Sequence, residues 1–166
     1  KLDDIAWIFN LRGSDVPDNP VFYAYSLIPA KGNATLFINE EKVPADLKEQ
    51  LAEEGVVLAP YHSVGAALAS LSSGTVLANP EEINASLLSR LPEQITQLEL
   101  PNPIELMKAL KTPEEIELIS EAMLKDGVAL VRFFAWLDRN LGKEEMTEQS
   151  LADKLLYFRK SLPGYI

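Results

Sequence analysis

The run from Asp4 to Ile28, DIAWIFNLRGSDVPDNPVFYAYSLI, constrains the fold more than any other stretch, because two mostly apolar runs flank a stiff polar connector. Read as extended chain, Ile5, Trp7, Phe9 and Leu11 fall on one side and Ala6, Ile8 and Asn10 on the other, the pattern of a strand covered on both faces. A second run sets Val21, Tyr23, Tyr25 and Leu27 against Phe22, Ala24, Ser26 and Ile28, again with little polar relief. Two such runs predict neighbouring strands at the centre of a sheet. Between them Gly13, Pro17, Asn19 and Pro20 make a stiff connector, since each proline fixes its own φ and turns the preceding residue away from helix.

Further along, Lys31-Gly32-Asn33 is a polar turn before an apolar alternation from Ala34 to Ile38, which predicts a hairpin. The spacing predicts a helix from Pro44 to Glu54 stopped by Gly55, and a strand at Val56 to Ala59. A short helix follows at Val64 to Leu71, a strand at Thr75 to Ala78, a helix at Glu81 to Leu91 and a last strand at Ile95 to Leu100. Alternating β and α units imply crossovers and parallel pairing, so with a hairpin at the front the sheet must be mixed. Pro101-Asn102-Pro103 is the clearest punctuation, and it places a boundary between an α/β domain, residues 1–105, and a helical region, residues 106–166. Thr112-Pro113-Glu114-Glu115 is a capping box with proline at the first helical position. From there Ile116, Ile119, Met123, Gly127, Leu130, Phe134 and Leu137 form one stripe and Leu124, Val128, Val131 and Ala135 a second, a width that predicts heavy burial. Thr147 opens another amphipathic helix through Leu151, Leu155, Leu156 and Phe158. Two long helices with no strands after them read as half of something larger, so the chain is expected to be a fragment.

Composition enters by exclusion. A formal charge of −10 and a pI near 4.6 oppose a phosphate-binding surface, so nucleic acid is not an expected partner. No apolar run reaches the roughly 20 residues of a membrane helix, so no membrane partner is expected. The absence of cysteine removes disulfides and thiolate chemistry and suits a reducing compartment such as the cytoplasm. Two sequons, Asn33-Ala34-Thr35 and Asn84-Ala85-Ser86, are short enough to be chance matches.

Few residues nominate chemistry. His62, the only histidine, lies between Tyr61 and Ser63 with no nucleophile or orienting partner in view, and reads as a surface or capping residue. The acid pairs Glu40-Glu41, Glu53-Glu54, Glu81-Glu82 and Glu114-Glu115 sit at helix ends, where carboxylates are stabilising and solvated. The predicted strands carry almost no acids, so a metal centre is not expected. Arg12 is the one candidate site residue: it stands beside Gly13, where its guanidinium either meets a carboxylate at a substrate entrance or pairs with Asp15 or Asp18 to hold the connector. Trp7 and Trp136 read as core or interface residues.

The segment Asn10 to Tyr25, NLRGSDVPDNPVFYAY, resembles the middle domain of the three-domain Xaa-Pro aminopeptidases of the creatinase/prolidase family. A second segment, Pro103 to Leu137, is similar to the junction into their catalytic domain, and its K-T-P-E-E-I core is shared among creatinase and prolidase relatives. The resemblance implies a creatinase-type, ribonuclease H-like α/β domain with a mixed sheet between helices, followed by the first helices of a pita-bread domain. It implies a parent enzyme that removes the N-terminal residue preceding proline from peptides, using two divalent metal ions, usually manganese. The family's ligands, two Asp, one His and two Glu, match no positions here, so the resemblance implies a catalytically inert fragment without its own cofactor. Some relatives keep these folds without catalysis and bind peptides or histone tails, which is the alternative reading. Unmatched apolar helix faces also allow a homodimer.

Overall fold

The computed structural model describes residues 1–165, and the chain divides into two compact units, Lys1–Ala109 and Leu110–Ile166. The first unit opens with a helix where a strand is expected: α1 runs Leu2–Ile8. Leu2, Ile5, Ala6 and Phe9 repeat at the helical period and pack against a core containing Val21, Phe22, Leu36 and Leu51. Asp3 and Asp4 occupy the first turn, where carboxylates favour the helix N-terminus. An apolar run without polar interruption satisfies both periods at once, and what covers it decides between them.

α1 stops through a Schellman motif. Asn10 takes a left-handed φ of 49°, its N–H bonds to the Trp7 carbonyl (3.0 Å), and the Leu11 N–H reaches the Ala6 carbonyl (2.9 Å). The connector then folds back on residues 20–23, the Asp15 N–H bonding to the Val21 carbonyl at 3.2 Å. At Gly13 a Cβ would stand 2.7 Å from the Phe22 Cβ, so only glycine lets the two backbone segments approach.

β1 (Ala24–Leu27) and β2 (Ala34–Ile38) form the expected hairpin, antiparallel from Ala24↔Ile38 to Leu27↔Thr35, with Gly32 at φ 97° in the turn. α2 (Ala45–Glu53) crosses over to β3 (Val56–Pro60), which lies parallel to β2 from Ala34↔Val56 to Ile38↔Pro60. The mixed sheet has the order β1-β2-β3. The central strand is therefore β2, and residues 21–28 supply an edge strand instead of half of the sheet centre. β2 earns that place by burial on both faces: Leu36 and Ile38 enter the core beneath α1 and α2, while Phe37 enters a second cluster with Val64, Leu68 and Leu87.

α3 (Val64–Ala69), β4 (Thr75–Leu77), α4 (Ala85–Leu88), β5 (Thr96–Leu98) and α5 (Pro103–Ala109) complete the unit. β4 and β5 pair in parallel as a separate two-stranded sheet. The helix expected over 81–91 shrinks to α4, because Asn79 draws in the Glu81 N–H with its side chain and the Glu82 and Ile83 N–H groups with its carbonyl, making a turn. Asn84 then caps α4 by accepting from the Leu87 N–H at 2.9 Å.

In the second unit α6 (Pro113–Asn140) and α7 (Glu148–Lys160) each start at a capping box. Thr112 Oγ1 accepts from the Glu115 N–H (3.2 Å) while Glu115 Oε2 accepts from the Thr112 N–H (2.8 Å). Arg159 holds α7 to α6 through Asp126, Nε donating at 2.7 Å and Nη2 at 3.3 Å. The heavy burial expected of the α6 stripe is not found: Met123 is 65% exposed, Leu124 70% and Phe134 59%, and Ala129 alone on the helix is buried. Two helices bury only the seam between them, and this stripe is wider than a seam.

Candidate functional site

Parallel strands β2 and β3 end side by side at the pair Ile38↔Pro60, and the chain then leaves them in two separate turns. Asn39 starts a 3-10 turn over Glu40–Lys42, its side chain accepting from the Glu41 N–H at 3.2 Å. Pro60 leads into another at Tyr61–Ser63, closed by the Ser63 hydroxyl donating to the Pro60 carbonyl at 2.7 Å. A crevice of about 690 Å³ opens between these turns, lined by Tyr23, Ile38, Lys42, Pro60, Tyr61 and His62 among others. The carboxyl ends of parallel strands are where α/β sheets place ligands, because diverging connections leave a gap there.

Its groups are held firmly. Tyr61 stacks in a tilted arrangement on Tyr25, centroids 5.1 Å apart, and meets the His62 ring edge-on at 5.2 Å. The hydrogen bond with Tyr25, aided by burial, pushes the Tyr61 phenol above its ordinary range. On the opposite wall Asp15 accepts from Lys42 Nζ (2.6 Å) and from the Tyr23 N–H (2.8 Å), and Lys42 Nζ lies 5.9 Å from the centre of the Tyr23 ring. Lys42 first, and the Tyr23 amide second, hold the Asp15 carboxyl below the usual carboxylate range.

That clip has an acid signature. A carboxyl lowered on folding stabilises the native state above its unfolded pKa of about 3.9 and loses that contribution as pH falls through the lower folded value. Asp15→Asn is expected to cost about 1 kcal/mol at pH 7, Lys42 being partly screened by water, and to flatten the stability profile between about pH 4 and 2. Urea midpoints measured across that range test it; parallel profiles for both proteins would show that Asp15 contributes no such linkage.

Arg12 takes no part in the crevice. It is exposed, and its Nη1 donates to the carbonyls of Ala6 (3.2 Å) and Leu11 (2.8 Å), groups at the end of α1. Neither Asp15 nor Asp18 pairs with it, since Lys42 occupies Asp15. His62 is exposed in its turn, and Trp7 and Trp136 are half-buried, Trp136 beneath the Lys154 ammonium at 4.9 Å. Sequence reasoning passed over Tyr23, Lys42 and Tyr61. Their one local signal is position just before or after a strand end, which becomes a site only once β2 and β3 are known to be parallel and in register.

Among the residues lining the crevice, no nucleophile, base and orienting group converge. Among the described residues, no three His, Asp or Glu side chains are placed to hold a metal ion, and no helix is long and apolar enough to cross a membrane. In the second unit a smaller cavity of about 280 Å³ lies along the α6–α7 seam, its Asp126 and Arg159 already paired.

Comparison with known proteins gives this geometry a context. Residues 1–115 match the creatinase/prolidase N-terminal domain. The chain is 32% identical to aminopeptidase P2 of Arabidopsis thaliana and 39% identical to a probable Xaa-Pro aminopeptidase P of Trichophyton verrucosum, in each case over 99% of its length. It spans 28% of the first protein and 25% of the second. Among solved structures, the X-prolyl aminopeptidase of Caenorhabditis elegans, a cytosolic enzyme with a di-nuclear active site, superposes with a TM-score of 0.86 at 28% identity, over 99% of this chain and 28% of that one.

Proposed function

This chain belongs to the creatinase/prolidase family, and from that membership we propose that it is part of a metal-dependent Xaa-Pro aminopeptidase, cytoplasmic, which removes the residue preceding proline from the N-terminus of peptides. The carrying observation is that relatives bearing that name align along 99% of the chain, through both of its units. In this reading residues 1–105 are a non-catalytic α/β domain bordering the substrate entrance, and residues 106–166 are the first helices of the catalytic domain. Among the described residues no three His, Asp or Glu side chains stand together, so this reading routes no step of the hydrolysis through them. Arg12 acts as a positioning residue for the connector through its bonds to Ala6 and Leu11.

The test uses the longer polypeptide that carries this chain, assayed for release of the first amino acid from an Xaa-Pro peptide. Chelation should lower the rate by more than about 100-fold and manganese should restore it, while the 166-residue chain alone releases nothing. A longer protein inert toward such peptides with metal supplied sinks the proposal. The net charge of −10 favours a second reading, a catalytically silent module for basic peptides such as histone tails, and the same null result together with tight binding of a basic peptide would support it.

A further inference from the structure

The outer face of α6 is apolar, open to water and spaced for another helix. Ile116, Ser120, Met123, Gly127, Leu130 and Phe134 follow one another at steps of four and three residues, the repeat of a seam between paired helices. Val131 beside them is 69% exposed, whereas Ala129, turned toward α7, is buried. Gly127 stands at the middle of the 28-residue helix, where only proline is a poorer helix former, and a Cβ placed there would meet nothing within 4 Å. No neighbour among the described residues calls for glycine at that point. Ser120 donates its hydroxyl to the Ile116 carbonyl at 2.7 Å, so this polar group can be covered without losing its partner.

A second copy of α6, run antiparallel with a two-fold axis at Gly127, accounts for each of these features. Residues equally far before and after the glycine then face each other, so Phe134 lies over Ser120 and Ile119 over Ala135, large against small. At the axis the two glycines let the backbones approach. Charge agrees with that direction: residues 113–126 carry five acids and one lysine, while residues 127–140 carry two arginines and one aspartate. Glu117, Glu121, Arg132 and Arg139 share one flank of the helix, and reversal sets Glu121 beside Arg132 and Glu117 near Arg139 of the other copy, where parallel pairing would set acid against acid. Glu121 pairs with Lys125 on its own helix at 2.7 Å, an exposed contact that leaves the carboxylate room for a second cation. The exposed parts of Ile116, Ile119, Met123, Leu124, Val131 and Phe134 amount to roughly 700 Å² per copy, close to the 800 Å² or so that each partner gives to a stable dimer. A partner of unrelated sequence would explain the apolar stripe but not a glycine at its midpoint. We propose that the outer face of α6 is a self-association surface, on which a second copy of this chain lays its own α6 antiparallel across Gly127. The inference rests on α6 alone and stands separately from the aminopeptidase reading.

The experiment is sedimentation of the 166-residue chain over a concentration series. The mass should rise from 18.4 kDa to twice that value and stop there, with half-association at about 1–100 μM. Gly127→Leu should weaken the dimer at least about ten-fold by holding the backbones apart, and unchanged helicity would certify the fold, since the added side chain meets only open space. Arg132→Glu should weaken it about three- to ten-fold, and Glu121→Arg added to Arg132→Glu should restore it. Because the chain has no cysteine, single cysteines report the axis: Gly127→Cys should form a disulfide-linked dimer on mild oxidation and Ile116→Cys should not, as only a residue on the axis lies within about 7 Å of its own copy. A chain monomeric throughout, a mass that grows beyond the dimer, affinity unmoved by Gly127→Leu, or equal cross-linking at Ile116 would each overturn the proposal. In the longer polypeptide, a monomer that protects α6 from hydrogen exchange would assign the face to a following segment and would overturn it as well.

Discussion

Leu36→Ala is expected to cost the first unit about 3–5 kcal/mol, a large part of the stability of a domain of this size. Leu36 is 0% exposed and sits at the middle of β2, the one strand with neighbours on both sides in its sheet. Its side chain closes the core shared with Ala6, Val21, Phe22 and Leu51, so shortening it leaves a void between sheet and helices that backbone hydrogen bonding prevents from collapsing. Chemical unfolding measures the loss as a lower midpoint with an unchanged slope. The variant should also broaden amide signals at Ile38 and Asn39, since the crevice takes one wall from the end of the same strand. A change below about 1 kcal/mol would mean that the core repacks freely at this position.

Lys108→Met should have a comparable effect for an electrostatic reason. Asp4 is 2% exposed, and its carboxylate is held by Lys108 Nζ at 2.5 Å and by the Asn102 side-chain amide at 2.8 Å. Lys108 also reaches the exposed Asp3 at 2.5 Å, and these two carboxylates raise its pKa, Asp3 contributing most. The pair joins α1 to α5 across most of the first unit's sequence. Methionine keeps much of the aliphatic stem but takes the nearer cation from a buried carboxylate, leaving only the Lys1 terminal ammonium at 3.8 Å, which costs about 3 kcal/mol, or about 12–24 °C in Tm. Removing the buried charge as well is the diagnostic step: Asp4→Asn added to Lys108→Met should recover more than half of the loss. If the single variant unfolds within a few degrees of the parent, the pair does not secure α5.

These predictions divide along the line between what was legible in the chain and what was not. Local chemistry was legible. Thr112 to Glu115 specified the start of α6, Lys31-Gly32-Asn33 the hairpin turn, and Gly55 the end of α2, because each depends on bonds between residues a few positions apart. Residues 2–8 were not, since an unbroken apolar run fits strand and helix equally and the decision came from the core that covers it. Asn10 carried a faint hint, being a residue tolerated in the left-handed turn that closes a helix. For Arg12 the sequence offered two acids as partners, while the fold gave it two carbonyls.

The sequence by itself determined family membership, the identities and order of most elements, and the absence of thiol chemistry. Tertiary structure decided which strand is central, which residues meet at the end of β2 and β3, and that Asp4 finds Lys108. The reason is separation along the chain. A cap or a turn is stabilised by its immediate neighbours and leaves a pattern in the letters, whereas Tyr23 beside Lys42, Tyr25 against Tyr61 and Asp4 against Lys108 are paired only by the register of strands and the docking of helices. Such pairs carry no local signature because their stabilisation arises only after the chain has closed the loops between them.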